Sequence, residues 1–191
     1  RLEKLGLAEN TIVFFTSDNG PQPGAWTDIF VEYFDGNGPF RGAKTNFYEG
    51  GIRVPMLVRW PGKIKPGSTS EFVGYFPDVM PTIAELTKTS QNLPKQIDGL
   101  SFAPTLLGSP NEQKTHEYLY WEFPGYGGWQ AVRQGQWMAV RKQLAKNPDA
   151  PFELYDLEKD LAQKLDVGRE HAEIVARAQS IAAKAHVPSR R

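Results

Sequence analysis

A chain of 191 residues with 40% hydrophobic and 23% charged side chains has the composition of a globular protein of one domain or two small units. Its 22 Lys plus Arg balance 22 Asp plus Glu, so no net field draws it to nucleic acid or an anionic membrane, and an anionic ligand must be met by particular side chains. Without cysteine, this segment has no disulfide, thiolate metal site or cysteine nucleophile, and no apolar run approaches the roughly 20 residues of a membrane-spanning helix.

In chain order, Arg1-Leu2-Glu3-Lys4-Leu5-Gly6-Leu7 reads as the last turns of an amphipathic helix, with Gly6 near its C-terminal end. A chain that opens inside an element, with no initiator Met and no signal-peptide apolar core, is expected to have residues upstream. Thr11-Ile12-Val13-Phe14-Phe15-Thr16 is a short, continuous apolar run, the pattern of a strand buried on both faces of a parallel sheet. A second run, Val54-Pro55-Met56-Leu57-Val58-Arg59-Trp60, is closed by Pro61-Gly62. The Gly- and aromatic-rich stretch between them, 21–51, is long for a connection and so becomes a functional candidate. Over 77–88, Val79, Met80, Ile83, Leu86 and Thr87 recur at helical spacing behind Pro77, and a loop follows over 90–109.

From Glu117 the period changes. Residues 117–123 read as a strand, and the runs 130–133 and 137–141 flank Gln134-Gly135-Gln136 as a β-hairpin. Residues 152–157 add a strand, and a helix closes the chain over 170–185 with Ile174, Val175, Ala178 and Ile181 on one face. The pattern predicts an α/β fold over 1–110, parallel in its sheet, then a subdomain over 111–191 made of a small antiparallel sheet and a packed C-terminal helix.

Two motifs carry chemistry. Thr16-Ser17-Asp18-Asn19-Gly20 follows the first strand, and in open α/β sheets ligands gather beyond the carboxyl ends of strands. Asp18 offers a carboxylate and Asn19 a carbonyl oxygen, hard donors suited to calcium or magnesium; a His at 19 would have suited zinc. The tripeptide alone reads more readily as a turn, for which these residues are favoured. Further on come Arg41-Gly42-Ala43-Lys44 and Glu49-Gly50-Gly51-Ile52-Arg53-Val54-Pro55, whose glycines allow close backbone approach or positive φ. Lys44 is then a point charge available to an anion, or simply a solvated lysine.

In combination and in this order, these segments, with the Trp60-Pro61-Gly62 that follows, resemble the C-terminal half of the catalytic domain of type I (arylsulfatase-like) sulfatases. Tyr118-Leu119-Tyr120-Trp121-Glu122-Phe123, Gln130-Ala131-Val132-Arg133 and Leu154-Tyr155-Asp156-Leu157 resemble that family's C-terminal sheet. The resemblance covers nearly the whole chain and implies an alkaline-phosphatase-like mixed sheet with helices. It implies that Asp18 and Asn19 are ligands of one calcium ion and that Lys44 contacts the sulfate and serves catalysis. The family's nucleophile is a formylglycine made within Cys/Ser-x-Pro-x-Arg. That signature does not occur here, so the nucleophile and remaining metal ligands are expected upstream and this segment alone is expected to be inactive. His116, His171 and His186 lie outside the family's active-site motifs and read as surface or helix residues. The usual Asp-Pro after Leu157 is replaced by Asp160-Leu161, which departs from the family's local turn. The stretch 25–38, with Trp26, Phe30, Tyr33 and Phe34, is a candidate substrate rim or core packing.

The implied partners are a sulfated small molecule or polysaccharide and the missing N-terminal part of the same chain, with no nucleic acid and no membrane span. Family habit places such proteins in the periplasm or outside the cell. Two alternatives stay open: a phosphodiesterase or phosphonate hydrolase of the same superfamily, against which Asn19 argues, and a non-catalytic sulfate- or carbohydrate-binding module.

Overall fold

The computed structural model describes residues 1–23, 31 and 33–188, arranged as two compact units. The first comprises Arg1–Thr16 and Pro55–His116, the second Ser17–Val54 and Glu117–Arg191.

The first unit begins with a 3-10 turn, Glu3–Leu5. It is closed by Gly6 at φ 68°, whose N–H bonds to the Glu3 carbonyl, so the helix-end reading of Gly6 holds as a single turn. Strand β1, Val13–Thr16, pairs with β2, Met56–Arg59, from Val13 opposite Arg59 to Thr16 opposite Met56. The pairing is antiparallel, which corrects the parallel arrangement expected from the apolar runs. Nor is β1 buried on both faces. Phe14 turns inward and meets the edge of Phe102 at 6.4 Å, whereas Phe15 is 67% exposed. A continuous apolar run reports that a strand can be buried, not which strand lies beside it or in which direction.

After the 3-10 turn Phe76–Asp78, helix α2 spans Val79–Leu86; it is followed, past a 3-10 turn, by the short α3, Ala103–Leu106, inside the expected loop. Asp78 is fully buried and organises this region. Its carboxylate accepts the N–H of Tyr75 at 3.0 Å, the N–H of Leu100 at 2.7 Å and the Nε2 of His116 at 2.9 Å. His116 is therefore an inward structural partner, with Tyr75 against its ring, and not the surface residue expected. A buried carboxylate needs partners of this kind, because an unpaired one would cost several kcal/mol.

The second unit is built on a four-stranded antiparallel sheet in the order β3-β4-β5-β6: Leu119–Phe123, Trp129–Gln134, Trp137–Lys142 and Glu153–Asp156. The hairpin is the expected one, with Gln134 opposite Trp137 and Gly135 at φ 55° in the turn. Strand alternation divides the core in two. Ala131, Met138, Val140 and Tyr155 face Tyr48, Trp129 and Leu157. Val132, Ala139 and Leu154 face helix α4, Ala172–Ala185, through Ala178, Ile181 and Ala182. His171 and His186 stand at the two ends of that helix, and the His186 ring lies 2.8 Å from the Glu122 carboxylate. Short helix α1, Glu49–Ile52, belongs to the same unit. The turn after β6 closes through Asp160, whose carboxylate accepts the Leu165 N–H at 2.8 Å, so Leu161 in place of Pro still yields a formed turn.

Candidate active site

Beyond β1 the backbone turns at Ser17, whose hydroxyl donates to the Asn19 carbonyl at 2.8 Å. The Asn19 Nδ2 donates to the Gly20 carbonyl at 3.0 Å, which leaves its Oδ1 as the available atom. Two backbone bonds then tie this turn to the glycine-rich motifs: Gly20 N–H to Gly51 O and Lys44 N–H to Pro21 O, each 2.9 Å. Asp18-Asn19 and Lys44 thus belong to adjoining segments of one unit.

Glycine makes that approach possible. A Cβ on Gly20 would lie 1.8 Å from the Gly50 carbonyl oxygen, one on Gly50 would lie 2.3 Å from the Gly42 oxygen, and one on Gly51 would lie 2.1 Å from the Asn46 oxygen. Gly42 itself sits at φ 82°. Asn37 Nδ2 pins the loop by donating to the carbonyls of Phe40 at 2.8 Å and Gly42 at 3.0 Å.

Asp18 is exposed, Asn19 and Lys44 are half-buried. Neither the Asp18 carboxylate nor the Lys44 ammonium has a hydrogen-bond or ion-pair partner among the described residues. A hard cation fits the donor set of a carboxylate and an amide oxygen whose own N–H is tied back. Among the described residues no cluster of three or more acidic or His side chains completes a metal site, so Asp18 and Asn19 could supply only part of one. Tyr33 and Phe34 of the aromatic stretch are exposed and meet edge to face at 4.9 Å; Trp26 and Phe30 lie outside the described residues.

The supports of this loop were not evident in the sequence. Arg41 lies 3.9 Å over the Tyr48 ring, and its Nη1 donates to the Tyr155 hydroxyl at 2.8 Å and to the Gln163 carbonyl at 3.0 Å. Tyr48 and Tyr155 both donate to Glu153, which also pairs with Lys142 at 2.9 Å. Burial works to raise the Glu153 carboxyl, yet hydrogen bonds from Tyr48, Lys142 and Tyr155 outweigh it and hold the group below its ordinary range. Burial and then Glu153 push the Tyr48 and Tyr155 phenols well up. Beside them Glu49, 1% exposed, pairs with Arg53 at 3.1 Å and lies 4.0 Å from Arg133. Burial lowers the Arg133 guanidinium's affinity for its proton, Glu49 opposes that, and Arg53 adds to it. The Glu49 N–H donates to the buried Gln163 Oε1. These contacts fix residues on both sides of Lys44 to the sheet. Sequence alone hides them because partners such as Arg41 and Tyr155 are far apart in the chain.

The family model for Sulfatase matches residues 1–89. Rat steryl-sulfatase is 44% identical over 119 residues, covering 62% of this chain and 20% of that protein. The N-acetylgalactosamine-6-O-sulfatase of Bacteroides thetaiotaomicron is 32% identical over 190 residues, covering 91% and 36% respectively. A structure solved in work on glycosaminoglycan metabolism by the same bacterium superposes with a TM-score of 0.76 at 30% identity, covering 96% of this chain and 40% of that one. The chain belongs to the sulfatase family, with the alkaline-phosphatase-like fold of its structural neighbours. It spans between 20% and 36% of the length of these curated relatives.

Proposed function

We propose that the full-length protein hydrolyses sulfate esters, and that this chain contributes Asp18 and Asn19 to a one-calcium site and Lys44 to the sulfate contact. The observation that carries the reading is the pair of backbone bonds at 2.9 Å that join the Asp18-Asn19 turn to the Lys44 loop, in a member of the sulfatase family. Calcium, when bound, would supply electrophilic neutralisation of sulfate oxygens. The Lys44 ammonium, free of competing carboxylates among the described residues, would hold the ester group as a point charge and oppose charge developing as the S–O bond breaks. The support network keeps that loop from relaxing away, since preorganised charge is worth more than charge that must reorient.

The substrate reading follows the relatives' names: steryl-sulfatase points to a small hydrophobic sulfate ester, and N-acetylgalactosamine-6-O-sulfatase to a sulfated saccharide. The nucleophile signature is absent from these 191 residues, so this segment alone is expected to be inactive. A periplasmic or secreted location accords with the bacterial relatives; no described helix is long and apolar enough to cross a membrane.

The test is Lys44→Ala in the full-length protein. Its kcat/KM for a chromogenic aryl sulfate should fall by about 10² or more, as for other losses of a single charge-stabilising donor. Unchanged kinetics would remove Lys44 from the site. No turnover by the unsubstituted protein, with sulfate esters still bound, would favour the binding-module alternative.

A further inference from the structure

Among the described residues other than glycine that have a positive φ, only Thr45 is branched at Cβ. It follows Lys44 directly in the chain. The Asn46 N–H bonds to the Ala43 carbonyl at 3.0 Å, which closes a four-residue turn with Lys44 second and Thr45 third. Thr45 sits at φ 79° and Lys44 is not left-handed, so the turn is of type II. Its third position belongs to Gly or Asn, because a branched Cβ crowds the backbone there.

Neighbours hold Thr45 in that conformation. The Lys44 N–H donates to the Pro21 carbonyl at 2.9 Å, the Asn46 Oδ1 accepts the Ala43 N–H at 3.4 Å, and the Asn37 Nδ2 holds the Gly42 carbonyl at 3.0 Å. The Thr45 side chain itself adds nothing to the clamp. It is half-buried, and its hydroxyl has no hydrogen-bond partner among the described residues.

A turn that only reversed the chain would adopt this shape at lower cost with Gly. Within the fold nothing offsets the strain of Thr, and strain of this kind gathers where a ligand is held. The unpartnered hydroxyl belongs to the residue next to the candidate sulfate contact. An ammonium attracts an oxyanion without fixing its orientation, whereas a hydroxyl on a stiff, branched side chain supplies a directed donor.

We propose that the Thr45 hydroxyl is a substrate contact, donating a hydrogen bond to an oxygen of the sulfate group that Lys44 meets. The identity of that anion rests on the sulfate-ester reading, whereas the strained turn and its unpartnered hydroxyl stand apart from it.

The test compares Thr45→Val, Thr45→Ser and Thr45→Gly in the full-length protein by melting temperature, by hydrolysis of 4-nitrophenyl sulfate and by calorimetric binding of the same ester. Thr45→Val keeps the branch and the strain but loses the hydroxyl. Its kcat/KM should fall at least about fivefold at an unchanged melting temperature, as for the loss of one hydrogen bond to a charged group. Thr45→Ser keeps the donor and should stay within about twofold of the unsubstituted protein. Thr45→Gly should melt higher and yet lose activity as Thr45→Val does. Unchanged kinetics in Thr45→Val, an equal loss in Thr45→Ser, or a Thr45→Gly protein that melts no higher would overturn the proposal. Absence of turnover by the unsubstituted protein would instead defeat the sulfatase reading. The binding arm then decides: weaker binding of the ester by Thr45→Val supports the contact, and equal or no binding removes it.

Discussion

Gly50 and Gly62 are both glycines beside a motif, yet their environments set very different costs for a side chain. A Cβ at Gly50 would meet the carbonyl oxygens of Gly42, Arg41 and Phe40 at 2.3, 2.6 and 2.9 Å, all backbone atoms that cannot swing aside. Gly62 sits at φ 72° with nothing within 4 Å, so only conformational strain opposes a substitution there. Gly50→Ala should destabilise the protein by about 3 kcal/mol or more, whereas Gly62→Ala should cost about 1 kcal/mol. Denaturant melts of the two variants check this, and equal stabilities would mean that the Gly50 crossing is loose. The sequence marked Gly42, Gly50 and Gly51 as places of close approach or positive φ. Gly42, at φ 82°, fits the second reading. Gly20, Gly50 and Gly51 instead make room for one another's strands of backbone, a fact held by residues remote in sequence and so invisible in any short window.

Elements whose pattern is local were legible. The β4-β5 hairpin announces itself by Gly135 between alternating runs, and α4 by apolar residues at helical spacing. The direction of β2 beside β1 was not legible, since strand order depends on the path of the connection and not on either strand's composition. The same holds for the brace that joins the 41–49 segment to β5 and β6 through Arg41, Tyr48, Lys142, Glu153 and Tyr155. Its titration has a definite sign. Glu153 is held below its unfolded value of about 4.3, so its stabilisation is fully present above that pH and is lost as pH falls through the folded value. Tyr48 and Tyr155 are raised, so they stabilise below their unfolded value of about 10 and lose that contribution as pH rises through their folded values. Glu153→Gln should therefore cost about 1–3 kcal/mol at pH 7. The gap in melting temperature from the unsubstituted protein should hold above the unfolded value of about 4.3 and narrow as the pH falls below it. A pH-independent gap would show that the ionised form of Glu153 contributes nothing to the brace.

For the molecule as a whole, the two-stranded β1-β2 sheet leaves Phe15 67%, Leu57 61% and Val13 38% exposed on one face, with Phe15 directly opposite Leu57. Exposed strand surface of this kind associates with other chains unless something covers it. The 191-residue chain expressed alone is expected to aggregate, and Phe15→Lys should raise its soluble fraction; a soluble, cooperatively melting monomer without that change would contradict the expectation. In the full-length protein the measurement that reaches furthest is the calcium dependence of aryl sulfate hydrolysis, compared between the unsubstituted protein and Asp18→Ala. Turnover should vanish with a chelator, return on adding calcium, and need at least about tenfold more calcium in the variant, because a hard cation loses one of its charged oxygen ligands. Calcium-independent turnover, or an identical calcium requirement in Asp18→Ala, would show that the oxygens beyond β1 hold no ion and that the site lies elsewhere.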